Sequence, residues 1–354
     1  MANTGSYSID DLLAVRFASA GSFGLDTINK VLQADLDYYN VGVTEQLGLF
    51  AEPVTEQQRI YGTSAMIDMV EIDEYGAAPT KKNLTGVTCG FPLRLFSSSI
   101  GWTSKYFEIA TPAEIAAQYL QVRKGHAAKM TQEIKKAIYN NANYTFVDKL
   151  TNGVSLAIKR FINADSSVIP NSPAGVSFDG SSHTHYLAKA GASLANADID
   201  GLVSTVTEHG NTQGLMLVIS LSNKAAISAL TGFKKLSSPE LVYNATDATV
   251  ARLDMSDLEN QMIGLWNETI PVWVKPWAIE NYVLCVATGA AEKPLAFRQR
   301  PQTALQGLRI VAEINDYPLI SKSMEAEYGF GVWNRLAGGV LYTGGTTWAN
   351  PTIV

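Results

Sequence analysis

The clearest hydrophobic periodicity in this chain begins at Thr111. Thr111-Pro112-Ala113-Glu114 combines a threonine N-cap, a proline at the first helical position and a glutamate that can complete a capping box. Apolar side chains then recur at steps of three, four or their multiples, at Ile115, Tyr119, Val122, Met130, Ile134 and Ile138. The pattern predicts one long amphipathic helix that ends near Asn140.

A strand-like pattern precedes this helix. Residues 64–75 show a strand-like pattern among acidic residues, residues 84–96 carry apolar side chains at alternate positions, and a turn-prone stretch at 76–83 separates them. They predict a long β-hairpin, which needs a partner surface because an isolated two-stranded ribbon is marginally stable in water. Residues 1 to about 55 show no convincing period, so we expect an extended arm that lies on other surfaces.

The second half of the chain predicts alternating helices and strands. Residues 151–198 are rich in Ser, Gly, Asn and Asp and indicate loops or short strands. A helix from Asp198 to Gly210, a buried strand from Leu215 to Leu221 and a helix from Ser222 to Gly232 then follow. Further strands are predicted at Ile270–Val274, Tyr282–Ala287, Leu295–Arg298 and Leu308–Ile314.

The C-terminal tail is unusually apolar. Residues 324–342 are rich in aromatic and aliphatic side chains and glycine, although chain termini normally fray. We expect residues 328–342 to close a strand layer in the lobe that carries the long helix, leaving Trp333 and Arg335 for a subunit contact. Gly329-Phe330-Gly331 lacks the third glycine and the helix of a phosphate cradle, so it predicts a close strand packing or a bulge.

Composition favours an assembling protein. At 354 residues the chain exceeds the roughly 250–300 residues at which one core usually stops growing. Charged residues make up 17%, and burial between subunits would explain so low a share. Cys89 and Cys285 predict buried reduced thiols. No signal-peptide pattern and no apolar run of 18 residues occurs, which predicts a cytosolic product without a membrane span.

Charge is unevenly distributed. Residues 1–79 carry twelve acidic and three basic side chains, a net charge of −9, whereas residues 112–160 have a net charge of +5. Opposite patches suit head-to-tail contact between copies, and two independently solvated faces are the alternative. The candidate basic residues, for contact either with nucleic-acid phosphates or with a neighbouring subunit, are Arg123, Lys124, Lys129, Lys135 and Lys136.

Candidate chemistry is sparse. No nucleophile, P-loop or paired-cysteine motif occurs, so we predict no catalytic residue, no cofactor and no enzymatic activity. His183 and His185 have the spacing of two ligands on one strand face, and Asp179 could join them on a metal. A polar surface loop is the preferred interpretation, and a metal-dependent enzyme is the alternative of a different class.

The order of these elements resembles the HK97-fold major capsid proteins of tailed bacteriophages. Residues 64–98 with the helix from Thr111 resemble the E-loop and spine helix of that family, residues 199–230 are similar to its axial A-domain, and residues 282–342 resemble its closing strands. The resemblance implies an α+β fold. Its implied parts are an N-terminal arm (1–55), an E-loop hairpin (56–110), a P-domain with the spine helix (111–190), an A-domain (191–280), and return strands and a tail that complete the P-domain (281–354).

The same resemblance implies a structural function. Hexamers and pentamers would form an icosahedral head around double-stranded DNA, with each ribbon lying over a neighbour. The implied partners are other copies of the chain, scaffolding, portal and decoration proteins, and packaged DNA without sequence preference; no membrane partner is implied. The implied location is the virion, after assembly in the host cytoplasm. Lys81 and Lys82 at the ribbon tip are candidate interface residues, either solvated or cross-linked. An encapsulin-like shell around a protein cargo is the alternative.

Overall fold

A computed structural model of the protein describes residues 7–15, 18–48, 50–61, 69–77, 86–235 and 261–353. The helices are α1 (Ile9–Ala14), α2 (Ala20–Phe23), α3 (Leu25–Leu47), α4 (Ser104–Ile109), α5 (Pro112–Tyr139), α6 (Asn196–Thr207) and α7 (Lys224–Ser228). None of the helices in these ranges is both long enough and apolar enough to span a bilayer.

The strands divide between two larger sheets and two small antiparallel pairs. They are β1 (Ala51–Val54), β2 (Gln58–Tyr61), β3 (Val87–Gly90), β4 (Arg94–Thr103), β5 (Tyr144–Val147), β6 (Ser155–Ile158), β7 (Tyr186–Ala188), β8 (Leu215–Ile219), β9 (Phe233–Lys235), β10 (Gln261–Trp266), β11 (Ile270–Val274), β12 (Tyr282–Ala287), β13 (Leu295–Gln299), β14 (Leu308–Asp316), β15 (Leu319–Val332) and β16 (Gly338–Tyr342).

The predicted long helix is present as α5. Thr111 is its N-cap, and the reciprocal bonds of the capping box to Glu114 are both formed. Its apolar face, which includes Ile115, Tyr119 and Met130, packs against the first sheet. That sheet has the order β1-β13-β15-β14, with β4 also paired to β15. The 14-residue strand β15 therefore joins the sheet to the long helix.

The extended conformation expected for residues 1–55 is wrong. Residues 25–47 form the helix α3, which buries Ile28, Val31, Leu32 and Leu36 against the same core as α5. The side chains at 28, 31, 32 and 36 do have helical spacing. Tyr39, Val43 and Leu47 continue this spacing against the same core but are partly exposed, so the pattern weakens toward the C-terminal end of the helix.

The second sheet has the order β7-β16-β12-β8-β11-β10-β9. Alternate residues of its central strands face different cores: Val218 and Leu284 pack toward α5, whereas Leu217 and Val283 pack against α6. Because both faces are covered, β8 and β12 are apolar along almost their whole length. This explains why their positions follow directly from the sequence.

The C-terminal part of the chain is divided between the two sheets. The tail divides: β15 belongs to the first sheet, whereas β16 pairs with β12 and β7 in the second. β12 and β16 share a sheet with β8, while Leu284 and Val340 pack into the core of α5, so the expectation that residues 281–354 complete the lobe of α5 stays a prediction. β15 ends at Val332 and β16 begins at Gly338, so the chain crosses between the two sheets at residues 333–337.

The predicted hairpin is found in part. β2 pairs antiparallel with β3, which forms the base of a ribbon, but β2 begins before residue 64, where the first strand was expected. Residues 69–77 contain no strand, and the remainder of the expected arms, 64–68 and 84–85, lies outside the described residues. After Gly90 the chain leaves this pair and continues as β4, the partner of β15.

Candidate subunit interface

The basic residues of α5 do not share one role. Nη1 of Arg123 lies 2.6 Å from Oδ2 of Asp35, and its guanidinium lies 4.7 Å from the centre of the Tyr39 ring. Both partners belong to α3 of the same chain. The acidic partner that was expected on a neighbouring copy is thus supplied within the subunit at this position.

Glu133, whose side chain is 11% exposed, lies among three basic residues, two of them on α5. Oε1 of Glu133 lies 2.9 Å from Nζ of Lys136 and 3.5 Å from Nζ of Lys129, and Oε2 lies 3.7 Å from Nε of Arg94. This carboxylate joins α5 to β4 and neutralises part of the positive face.

The last two of the five predicted basic residues are Lys124 and Lys135. Lys124 is exposed and Lys135 is partly exposed. Neither forms an ion pair with any residue that the structure describes. Of the five predicted basic residues, these two can offer an unpaired charge to another molecule.

Arg335 does not reach the surface. Its side chain is completely buried, its Nη2 lies 3.1 Å from Oδ2 of Asp165, and its Nε donates to the carbonyl oxygen of Arg160. Burial by itself would raise the pKa of Asp165, but the charge of Arg335 and the hydrogen bond from Lys159 outweigh it and lower that pKa. The predicted subunit contact at Arg335 is therefore wrong: the residue holds the 159–167 segment to the crossing between the sheets.

Trp333 is partly exposed at the base of the ribbon. Its ring stacks on Phe91 at a centroid distance of 5.4 Å, and the guanidinium of Arg59 in β2 lies 4.3 Å from its centre. Arg59 in turn pairs with Glu292. Trp333 thus fixes the ribbon base to the body of the subunit, and its role in a contact between subunits stays a prediction.

The described part of the ribbon beyond β2 and β3, residues 69–77, is exposed throughout and carries large apolar side chains. Met69 is 100% exposed and Tyr75 is 90% exposed, and Val70 and Ile72 are about half exposed. Exposed apolar groups concentrated in one short segment mark a surface that contacts another molecule. Lys81 and Lys82 lie outside the described residues.

A second exposed apolar surface lies at the turn between β14 and β15. Tyr317 and Leu319 are 85% and 60% exposed, and Ile314 on β14 is also largely exposed. The amide of Ser104 donates to the Pro318 carbonyl, so this turn lies beside the start of α4. The sequence patterns did not predict this surface, because a lone apolar residue in a turn has no period.

The histidines have a different arrangement from the one expected. His183 and His185 lie together, but their third neighbour is His209, which follows α6. One ring nitrogen of each histidine lies within 4.8 Å of those of the other two. Asp179 instead accepts hydrogen bonds from Ser181 and Ser182 in its own turn. The proximity of His209 arises from tertiary packing, and no spacing in the sequence could have indicated it.

The complete architecture is similar to that of a solved chain from Mycobacterium phage Patience. The two share 17% sequence identity and a TM-score of 0.69, and the alignment covers 99% of this chain and 96% of that one. The chain has the HK97-like capsid fold. In the terms of that fold, α5 corresponds to the spine helix, and the ribbon that begins at β2 and β3 corresponds to the E-loop.

The predicted α+β class and HK97-like fold are thus confirmed. The capsid of a native GTA particle (13% identity, 84% of this chain and 90% of that chain, TM-score 0.48) and the holo-SrpI encapsulin complex from Synechococcus elongatus PCC 7942 (11%, 87% and 89%, 0.42) are also similar. Both TM-scores are below 0.5, so neither similarity supports a conclusion about this chain. No protein-family model matches the sequence, and no curated protein matches it.

Proposed function

We propose that this protein is the major capsid subunit of a tailed bacteriophage, forming hexamers and pentamers of an icosahedral head around double-stranded DNA. The observation that carries the proposal is the HK97-like fold over nearly the full length of the chain. The exposed apolar ribbon segment agrees with it, because such a surface requires a partner. Assembly in the host cytoplasm, followed by residence in the virion, belongs to the same proposal.

Assembly is tested by purifying the full chain and examining it by negative-stain electron microscopy and analytical ultracentrifugation. We expect closed shells of uniform diameter. Monodisperse subunits under every condition, including co-expression with the neighbouring genes of the same genome, would contradict the proposal. Particles from the native source distinguish the contents, because a nuclease-resistant DNA genome supports a phage head and a protein cargo supports an encapsulin-like shell.

The ribbon is proposed to lie on a neighbouring subunit. Residues 69–77 combine exposed apolar side chains with Glu71, Asp73 and Glu74, so the segment suits a surface that is partly apolar and positively charged. The part of α5 around Lys124 and Lys135 offers unpaired positive charge. Trp333, Lys81 and Lys82 are proposed to belong to the same contact.

Replacement of both Met69 and Tyr75 by serine tests the ribbon. The folded subunit should keep its thermal midpoint, because exposed side chains contribute within about 0.5 kcal/mol of stability. Shell yield should fall sharply. Val176→Ser is the matched control, because Val176 is also exposed but lies far along the chain, in the loop before β7. Normal shells from the double variant would show that the ribbon does not hold the neighbours together.

The basic face of α5 has two proposed partners, which one double variant separates. Lys124→Glu with Lys135→Glu should prevent assembly if the face binds an acidic neighbour, and should allow shells that package less DNA if it faces the genome. Lys105→Glu in α4 is the control, because Lys105 is exposed and pairs with Glu108 of the same helix. Normal shells with normal DNA content would exclude both roles.

A further inference from the structure

Three histidines converge where the end of α6 meets the segment before β7. Nε2 of His209 lies 3.0 Å from Nε2 of His183 and 3.3 Å from Nε2 of His185. The side chains of His185 and His209 are 0% and 1% exposed, and that of His183 is 18% exposed. The three Nε2 atoms therefore lie in one group, in which only His183 is appreciably exposed.

The backbone holds this arrangement from both sides. The amide of His185 donates to the Ile162 carbonyl, and the amide of Val340 in β16 donates to the His185 carbonyl. His209 is placed by the C-terminal end of α6, which packs on β16 and β12. The cluster thus joins three separate parts of the chain.

The hydrogen bonds of His185 determine which of its nitrogens is free. Its Nδ1 lies 2.7 Å from the carbonyl oxygen of Gly338, and a carbonyl can only accept, so Nδ1 carries the proton. The Nε2 of His185 then presents a lone pair to the cluster. A histidine whose second nitrogen donates to a backbone carbonyl is the usual arrangement for a metal ligand.

Protons alone cannot satisfy the cluster. A neutral imidazole carries a single N–H, so each ring can donate through only one of its two nitrogens. Nδ1 of His209 is buried and has no hydrogen-bond partner among the described residues. If the proton of His209 is on Nδ1, that donor is unsatisfied; if it is on Nε2, it can satisfy one neighbour well and Nδ1 remains an unused acceptor.

A metal ion would engage the Nε2 lone pairs of all three rings at once, with the proton of His209 on Nδ1. Tetrahedral Zn²⁺ with Zn–N distances of about 2.0–2.1 Å separates its ligand nitrogens by about 3.3 Å, close to the two separations found here. Oε1 of Glu208 lies 3.4 Å from Nε2 of His183 and 3.8 Å from Nε2 of His209, where a fourth ligand is needed. The ring of Phe178 lies 4.3 Å from that of His209 and covers one side of the group.

We propose that His183, His185, His209 and Glu208 bind one divalent transition-metal ion of the Zn²⁺ class, as a structural site. Imidazole and carboxylate ligands suit this class, and four protein ligands leave no open position for catalysis. The ion would fasten the segment before β7 to α6 and β16. The proposal is independent of the capsid function, because every ligand comes from a single subunit.

Metal binding to the full-length, untagged protein tests the proposal. After chelator treatment, Zn²⁺ binding is measured by competition with a chromophoric chelator, and Co²⁺ is used as a spectroscopic probe. We expect one ion per chain, the visible bands of tetrahedral Co²⁺, and a thermal midpoint that rises with Zn²⁺ concentration. Absence of stoichiometric binding by folded wild-type protein in excess Zn²⁺ would overturn the proposal.

Variants locate the ion. His183→Gln should weaken Zn²⁺ binding by at least tenfold, because loss of even an outer-shell partner costs that much. Glu208→Gln changes a partly exposed side chain, and it provides a second measurement if His183→Gln does not fold. His126→Gln is the matched control, because His126 is the one histidine of the four outside the cluster and lies in α5. Binding that persists unchanged in both ligand variants would place the ion elsewhere and refute the assignment.

Discussion

Replacement of Gly329 by alanine tests how closely β15 approaches the chain between β3 and β4. A Cβ at this position would lie 2.8 Å from the carbonyl carbon of Pro92 and closer still to its carbonyl oxygen. Both are backbone atoms, so they cannot move aside by rotation of a side chain. The close strand packing predicted for Gly329-Phe330-Gly331 is thereby confirmed.

Two opposing contributions set the change in stability that Gly329→Ala causes. Overpacking costs about 1–3 kcal/mol, and more where backbone must shift. The lower entropy of the unfolded alanine chain returns about 0.4–1 kcal/mol. The middle of these ranges, about 2 kcal/mol against about 0.7 kcal/mol, leaves a net loss of about 1.3 kcal/mol. At about 2–4 °C per kcal/mol for domains somewhat smaller than this one, the thermal midpoint of Gly329→Ala should fall by roughly 3–5 °C.

Thermal unfolding of unassembled subunits, followed by circular dichroism at one fixed protein concentration, measures this shift. Gly125→Ala in α5 is the matched control, because its added Cβ would meet no atom within 4 Å. In a helix interior the same change should stabilise by about 0.5–1 kcal/mol. A midpoint for Gly329→Ala equal to or above that of the wild type would refute the close approach of β15 to Pro92.

Three further predictions concern stability. Arg335→Leu should destabilise the subunit by about 3 kcal/mol in urea unfolding, the low end for a broken buried pair, because Lys159 stays 2.8 Å from the Asp165 carboxylate after Arg335 is lost; a loss below about 1 kcal/mol would contradict this. Since the folded-state pKa of Asp165 is lowered, its charge contributes stability above the unfolded pKa of about 3.9, and that contribution is lost as the pH falls further. The stability difference between wild type and Asp165→Asn should therefore narrow below about pH 3.9, and a constant difference would argue against the ion pair. Thr111→Ala should cost about 1 kcal/mol through loss of the α5 cap, whereas Thr111→Ser should keep most of it; equal midpoints for the two variants would show that the cap is unimportant.

The sequence by itself determined the elements whose signals are local. The capping box at Thr111 specifies the start of α5, because the groups that satisfy each other are three residues apart. Tyr282–Ala287 is identifiable as a strand, because a strand covered on both faces must be apolar at every position. Together with the order of the elements, such signals were sufficient to indicate the HK97-like fold.

The polar helix α3 marks the limit of local signals. Its core-facing side chains recur at helical spacing from Ile28 to Leu47, but those beyond Leu36 are only partly buried, so the pattern is weak in the second half of the helix. Its helical structure is supported by contacts such as Arg123 with Asp35, between residues far apart in the chain. Intrinsic propensity is a weak guide where tertiary contacts decide the conformation.

Only the tertiary structure decided what the tail and the histidines do. The sequence required the apolar tail to be buried, but pairing of β15 with β4 and of β16 with β12 sends its two halves to different sheets. The same crossing buries Arg335 against Asp165, and the packing of α6 brings His209 to His183 and His185. Composition and spacing indicate which residues are buried, whereas the partner in each contact depends on which distant segments the completed fold brings together.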